Sequence, residues 1–281
     1  MGTARIVLLT LLTLAVAAAA GAFVMVNGGL YNVAATQQHW QPVYSLLERA
    51  MRQSVRLRAR DVEAPPLDDP RLIVRGAACF RDKCVQCHGA PGVAQEQIGM
   101  SMQPLPGPLM DASRRWKPRE LYWLTRHGIR MSGMPAWQFH LADEDLWAVV
   151  AFLQKLPSLS PHEYAQTTAS LAAPACSAAS ASTATPLRAG DAERGRLALA
   201  QYACIACHTV PGIANSHPQV GPPLAGVARR SHIAGKLANT PDNVVLWITR
   251  THEIDPRSAM PGMGVSEQDA RDMAAYLGTL D

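Results

Sequence analysis

The strongest constraint on this chain is a pentapeptide that occurs twice. It reads Cys84-Val85-Gln86-Cys87-His88, and again Cys204-Ile205-Ala206-Cys207-His208. C-x-x-C-H is the attachment signature of c-type haem. Two thiols about a turn apart add to the two vinyl groups of one haem. The adjacent His then offers an imidazole to the iron from the same side. A lone C-x-x-C also suits a redox dithiol or half a zinc cage. Here His follows both times, and no second cysteine pair lies nearby in either half to complete a four-ligand zinc site. The expectation is two covalently attached haem c groups, with His88 and His208 as iron ligands and Cys84, Cys87, Cys204 and Cys207 as attachment points.

The opposite face of each iron needs a soft or imidazole ligand from downstream. The first half offers Met134, within Met131-Ser132-Gly133-Met134-Pro135, 50 residues after Cys84. The second offers Met260, within Ser258-Ala259-Met260-Pro261-Gly262-Met263, 56 residues after Cys204. Both are Met-Pro pairs on Gly-containing segments suited to a loop over a haem face. Met131 and Met263 are local rivals, and any Met can be core filler. His127 is an alternative for the first iron. A thioether ligand raises the potential and fills the coordination sphere, which suits electron transfer.

Aligned on the cysteines, the two halves repeat at an offset of 120 residues. In each, a short helix leads into the pentapeptide: Arg71 to Lys83, then Asp191 to Ala203. In each, an amphipathic helix follows the Met loop: Ala142 to Leu156, then Ser266 to Leu280. Acidic residues open both closing helices, as suits a helix N-terminus, and Ser266 is a good N-cap. No strand pattern of useful length appears, so the fold class is all-α. Each haem domain is small, and without its haem it should fold marginally. Residues 165–188 are rich in Ala, Ser and Thr and read as a flexible tether. Cys176 in the tether reads as an odd exposed thiol and Cys79 as buried on the first helix. A Cys79–Cys176 disulfide is the other pairing open to them.

The N-terminus sets the compartment. Ile6 to Val26 is 21 uncharged residues, rich in Leu, Val and Ala. That length spans a bilayer core of roughly 30 Å. A signal peptide cleaved near Ala17–Ala20 is the competing reading, and both export the rest of the chain. Trp40, Tyr44, Leu47, Met51 and Val55 then form one apolar helical face, with Arg49, Arg52 and Arg56 largely on the other. That helix suits a membrane surface, a partner subunit or its own domain. The charge agrees with this layout. The net of +4 comes from residues 1–60, which hold six Arg and one Glu. The haem domains are close to neutral. Neither the mild overall basicity nor its location makes a nucleic-acid binder.

These residues resemble the class I cytochrome c family, present as two fused domains over about Arg71–Leu156 and Asp191–Leu280. In that family a Gly and an aromatic precede the first haem cysteine by eight and four positions, as Gly76 and Phe80 do. The second half departs, with Gly195 nine before Cys204 and Ala200 in place of the aromatic; Tyr202 is the candidate substitute. The family's Gly-Pro-x-Leu segment, whose Pro carbonyl accepts a hydrogen bond from the ligand His, is matched by Gly221-Pro222-Pro223-Leu224. The resemblance thus implies Pro222 as the partner of His208. In the first half, Leu105-Pro106-Gly107-Pro108-Leu109 leaves Pro106 and Pro108 both open. It further implies Arg230 beside a haem propionate and Trp247 beside the axial Met.

The expected organisation is a transmembrane anchor (1–36) and a basic amphipathic segment (37–66), then two tandem cytochrome c domains (67–164 and 189–281) joined by the tether (165–188). The function expected is electron transfer by a dihaem c-type cytochrome at the periplasmic face of a bacterial inner membrane. It is a carrier and not an enzyme. Its partners are redox proteins such as a terminal oxidase or a dehydrogenase, and no nucleic acid. A subunit of a larger oxidase or dehydrogenase complex is the alternative. A dihaem peroxidase is less favoured, because both halves offer a Met to close the iron.

Overall fold

The computed structural model describes residues 2–169, 171, 187–214, 216 and 220–281. Cys176, His217 and most of the tether lie outside the described residues. The chain divides into two units, Met1–Ala178 and Ala179–Asp281.

The first unit begins with α1 (Thr3–Asn27) and α2 (Gln41–Arg58). Next come α3 (Pro70–Lys83), α4 (Val85–His88), α5 (Gln97–Met100), α6 (Ala112–Arg115) and α7 (Pro118–His127). It closes with α8 (Asp143–Lys155) and α9 (Pro161–Ala169). The second unit holds α10 (Ala192–Gln201), α11 (Pro241–Ile254) and α12 (Glu267–Leu277). A small antiparallel hairpin, β1 (His232–Ile233) with β2 (Leu237–Ala238), precedes α11. The protein is mostly helical, as the hydrophobic periodicity predicts.

Helix α1 is 25 residues of high mean hydropathy with none of its side chains buried in the protein. At ~1.5 Å per residue it exceeds the ~30 Å apolar thickness of a bilayer. The two hydroxyls in its middle are satisfied within the helix. Thr10 Oγ1 donates to the Ile6 carbonyl (3.0 Å) and Thr13 Oγ1 to Leu9 (2.9 Å). That internal pairing lowers the cost of placing hydroxyls in an apolar surrounding.

Helix α2 rests on its own unit by its C-terminal half. Val55 and Ala59 are buried, the Arg52 guanidinium lies over the Trp116 ring at 5.1 Å, and Arg119 donates to the Arg60 carbonyl (3.0 Å). Trp40, Tyr44 and Leu47, expected on the same apolar face, are exposed.

Each unit is organised by a crossing of its first and last haem-domain helices at a glycine. A Cβ on Gly76 of α3 would lie 1.9 Å from the Ala148 carbonyl oxygen of α8. A Cβ on Gly195 of α10 would lie 1.9 Å from the Asp272 carbonyl oxygen of α12. Only hydrogen fits at either contact. The first crossing sets Phe80 against Phe152 (ring centroids 5.3 Å), with Tyr164 of α9 edge-on to Phe80. Phe80 is fully buried, which stabilises the fold by roughly 1.5–3 kcal/mol. In the second unit Ala198, Leu199, Met273 and Leu277 fill the crossing. Tyr202 packs against that cluster and donates to Asp269 (2.9 Å). Ser266 caps α12 by accepting from the Asp269 amide.

Two features differ from the sequence expectations. Helix α9 continues to Ala169, so the segment from Ala165 to Ala169 is helix and not tether. Arg81 fastens its end by donating to the carbonyls of Thr168 (3.1 Å) and Leu171 (2.9 Å). At the other margin of the tether, Arg188 donates to the buried Asp272 carboxylate (2.6 and 3.2 Å). Asp272 also accepts from the Asp191 amide (2.8 Å), so this one carboxylate ties the entry of the domain to α12. Cys79 is fully buried as expected, and it is disulfide-bonded, the alternative the sequence left open.

Gly76→Ala and Gly195→Ala will each destabilise the haem-loaded protein by about 1–3 kcal/mol, since the added methyl meets backbone that must move. Gly262→Ala, where nothing lies within 4 Å, will be near neutral. Denaturant unfolding followed by circular dichroism separates these outcomes.

Candidate haem sites

In the first unit α3 ends at Lys83 and α4 supplies the single turn that carries Cys84, Cys87 and His88. Gly89 follows in a left-handed conformation (φ 64°), which ends the turn. The Cα of Gly99 packs against Cys87, whose Cα a Cβ there would approach to 2.8 Å. In the second unit Cys204–Ala206 forms a 3-10 turn leading to Cys207 and His208. None of the four motif cysteines is in a disulfide. Burial, reinforced by Cys87, pushes the Cys84 thiol up to about 12. Burial also raises Cys87 and Cys204.

The two histidines are held alike. His208 Nδ1 hydrogen-bonds the Pro222 carbonyl at 2.8 Å, the pairing implied by the family resemblance. His88 Nδ1 hydrogen-bonds the Gly107 carbonyl at 2.7 Å. This corrects the expectation for the first half, where Pro106 and Pro108 were the candidates. Those carbonyls are used elsewhere: Pro106 accepts from Gln95 Nε2, and Pro108 from Arg115 Nη2 (3.4 Å). A carbonyl only accepts, so each Nδ1 carries the proton and each Nε2 keeps its lone pair for a metal. Burial pushes the His88 imidazole down, opposed by the bond to Gly107. Around His208 the backbone is tight. Gly221 donates to the Cys207 carbonyl (2.6 Å), and a Cβ on Gly221 would lie 2.6 Å from His208 Cε1.

Met134 and Met260 both sit half-buried in irregular segments. Each amide donates to the hydroxyl of the serine two residues earlier: Met134 to Ser132 (3.2 Å) and Met260 to Ser258 (3.2 Å). This shared turn was not read from the sequence, although the serines stand at matching positions. Met131 is almost fully exposed, at 94%, and has φ 58°, so its side chain points to solvent. Met263 is also exposed, at 39%. His127 is exposed, with its ring 4.8 Å from Trp123.

Arg230 donates to the carbonyls of Pro223 (2.6 Å) and Ala225 (3.3 Å), so it braces the segment that holds His208. Trp247 is half-buried in α11, and its carbonyl accepts from the buried Thr251 hydroxyl (2.5 Å). The structure adds a first-half counterpart of Arg230. Arg115 stands eight residues after Gly107, as Arg230 stands eight after Pro222, and each arginine donates to the carbonyl that follows the histidine's acceptor. The differing loop lengths between motif and acceptor hide this match at the constant offset of 120 residues.

The residues present fit haem c: paired thiols on one turn, and imidazoles whose Nδ1 is already engaged. The comparisons agree. Residues 71–153 match the family described as "Cytochrome C oxidase, cbb3-type, subunit III". Residues 192–281 match the family "Cytochrome c". The chain therefore carries two cytochrome c-type domains in tandem, built to hold covalent haem c and to carry electrons. Cytochrome c oxidase subunit 2 of Alkalihalophilus pseudofirmus (strain ATCC BAA-2126 / JCM 17055 / OF4) is 32% identical over 90 residues, which are 32% of this chain and 25% of that protein. The similarity thus spans about a quarter of that relative's length. No solved structure matches.

Gly221→Ala will displace the His208 ring and leave His88 untouched. Low-temperature electron paramagnetic resonance of the oxidised protein will show one low-spin haem signal altered and the other unchanged.

Proposed function

We propose that the chain is a membrane-anchored dihaem electron carrier, with His88 and Met134 as ligands in the first domain and His208 and Met260 in the second. The observation that carries this reading is the repeated local construction. In both halves a backbone carbonyl holds the ligand imidazole by Nδ1, and a serine hydroxyl holds the amide of the downstream Met. When bound, haem c supplies a one-electron iron couple. The chain's own groups do the rest. Cys84, Cys87, Cys204 and Cys207 form the covalent attachments. The carbonyls of Gly107 and Pro222 fix ring orientation and raise imidazole basicity. Arg230, which braces the Pro222 segment, would stand beside a propionate by the family resemblance, and Arg115, which braces the Gly107 segment, would do the same in the first domain. Trp247 is the aromatic expected near Met260.

The anchor is α1, and the haem domains face the periplasm of a bacterial inner membrane. The redox partners are an oxidase or a dehydrogenase. The cbb3-type subunit III match and the oxidase subunit 2 relative favour an oxidase, and with it the second reading, that the chain is itself a subunit of such a complex. Purification in mild detergent distinguishes the two: stoichiometric co-purifying subunits support a complex, and a lone monodisperse chain supports the free carrier.

The ligand assignment is tested by Met134→His and Met260→His. Each will lower one of two midpoint potentials in a redox titration, because imidazole favours the ferric state more than thioether does. Pyridine haemochrome analysis will return two haems per chain. A variant that leaves both potentials unchanged sinks the assignment of that Met.

A further inference from the structure

Helix α2 carries apolar residues on two sides, and its own domain covers only one. Val55 and Ala59 mark the covered side. At ~100° per residue, Leu46 and Leu57 lie about 180° and 200° round the helix from Val55. Leu46, Leu47 and Leu57 are 67%, 53% and 58% exposed. Together with Ala50 and Val43 they form a strip about 100° wide, the width of an ordinary buried helix face. The polar residue within the strip, Ser54, has its hydroxyl engaged by Arg58 (2.7 Å). Arginines edge the strip. Arg49 and Arg56 stand on one margin and Arg58 on the other. The helix's acidic residue, Glu48, is engaged by Arg52 (2.9 Å) on the side facing the domain.

Two observations name what covers this strip. The first is charge: an apolar face edged by arginines complements an anionic headgroup layer over an acyl interior. The second is position. The linker between α1 and α2 folds back on itself. The Tyr31 side chain hydrogen-bonds His39 and stacks on it, and its ring meets Trp40 edge-on at 6.4 Å. The loop is thereby closed, and the start of α2 lies within about four residues of chain, ~14 Å, plus one ring contact from the end of α1. Tyr31 and Trp40 are the side chains that favour the membrane–water boundary.

We infer that α2 lies flat in the headgroup region of the membrane that α1 spans. Leu46, Ala50 and Leu57 face the acyl chains, Arg49, Arg56 and Arg58 sit among anionic phosphates, and the first haem domain rests on the opposite side of the helix. The inference rests on α1 being a retained span. It turns the first domain from a body on a stalk into one docked on the bilayer through a defined helix face.

The test uses the full-length, haem-loaded protein in vesicles of phosphatidylcholine and phosphatidylglycerol. Nitroxide labels are placed one at a time by Leu46→Cys, Leu57→Cys and Leu12→Cys, with label taken up by the unsubstituted protein subtracted. Collision with oxygen relative to a water-soluble nickel chelate reports depth, and the Soret spectrum confirms that each variant is folded. Labels at 46 and 57 are expected to show a ratio several-fold above that of free nitroxide in buffer. Arg49→Glu combined with Arg56→Glu should reduce it. Water-like ratios at 46 and 57 with a buried label at 12 overturn the inference while the anchor stands. A label at 12 that is exposed to water, or missing from the purified chain, removes the anchor and the inference with it. Protection at 46 and 57 that follows a co-purifying protein and not the vesicles assigns the strip to a partner subunit and overturns the inference.

Discussion

Both haem domains depend on two helices approaching until backbone touches backbone. At Gly76 and Gly195 the facing carbonyl oxygens stand where a side chain would begin. This contact fixes the distance between the helix that leads into the pentapeptide and the helix that closes the domain. With that distance set, Phe80 reaches Phe152 in the first domain, and Leu199 shares a core with Met273 in the second. The turn bearing the cysteines and histidine then starts from a rigid base. The site in each half joins one short helical turn to irregular segments, and its precision is borrowed from the helix crossing beneath it.

The halves meet the same chemical demands with different residues. Each motif imidazole is held at Nδ1 by a backbone carbonyl, which leaves Nε2 with its lone pair. A Pro carbonyl does this in the second domain and a Gly carbonyl in the first. Each downstream Met must be presented by a segment without regular structure, and a serine two residues earlier accepts its amide in both. Each acceptor segment is braced by an arginine eight residues further on. The recurrence of roles with changed residue types shows that the geometry is set by hydrogen-bond needs. The identity of the side chain that happens to carry the carbonyl is secondary.

Much of this was legible in the chain itself. The pentapeptides, the Met-Pro loops, the flanking helices and the glycine–aromatic pair are local patterns, and local patterns survive translation into structure. Pro222 was legible because its segment matches the family pattern. Gly107 was not, because Pro106, Gly107 and Pro108 offer three consecutive carbonyls along the chain and only the path of the loop selects one. Arg115 was hidden for a related reason: the loops between motif and acceptor differ in length, so the repeat at constant offset breaks there. Helix α2 was legible as amphipathic, but the periodicity singled out one apolar face. The exposed Leu46 and Leu57 lie on the side that periodicity assigned to the arginines.

The sequence by itself determined where thiols, imidazoles, thioethers and the long apolar helix fall, because covalent attachment, metal ligation and bilayer length each demand particular residues at particular spacings. Tertiary structure alone decided which carbonyl holds His88, which side of α2 the domain covers, and how far α9 extends the first domain before the tether. Each of those is a competition among equivalent groups close together in the chain. Backbone carbonyls are chemically alike, and a helix offers several apolar faces. Only the packing of distant segments, set here by two glycine crossings, breaks the tie.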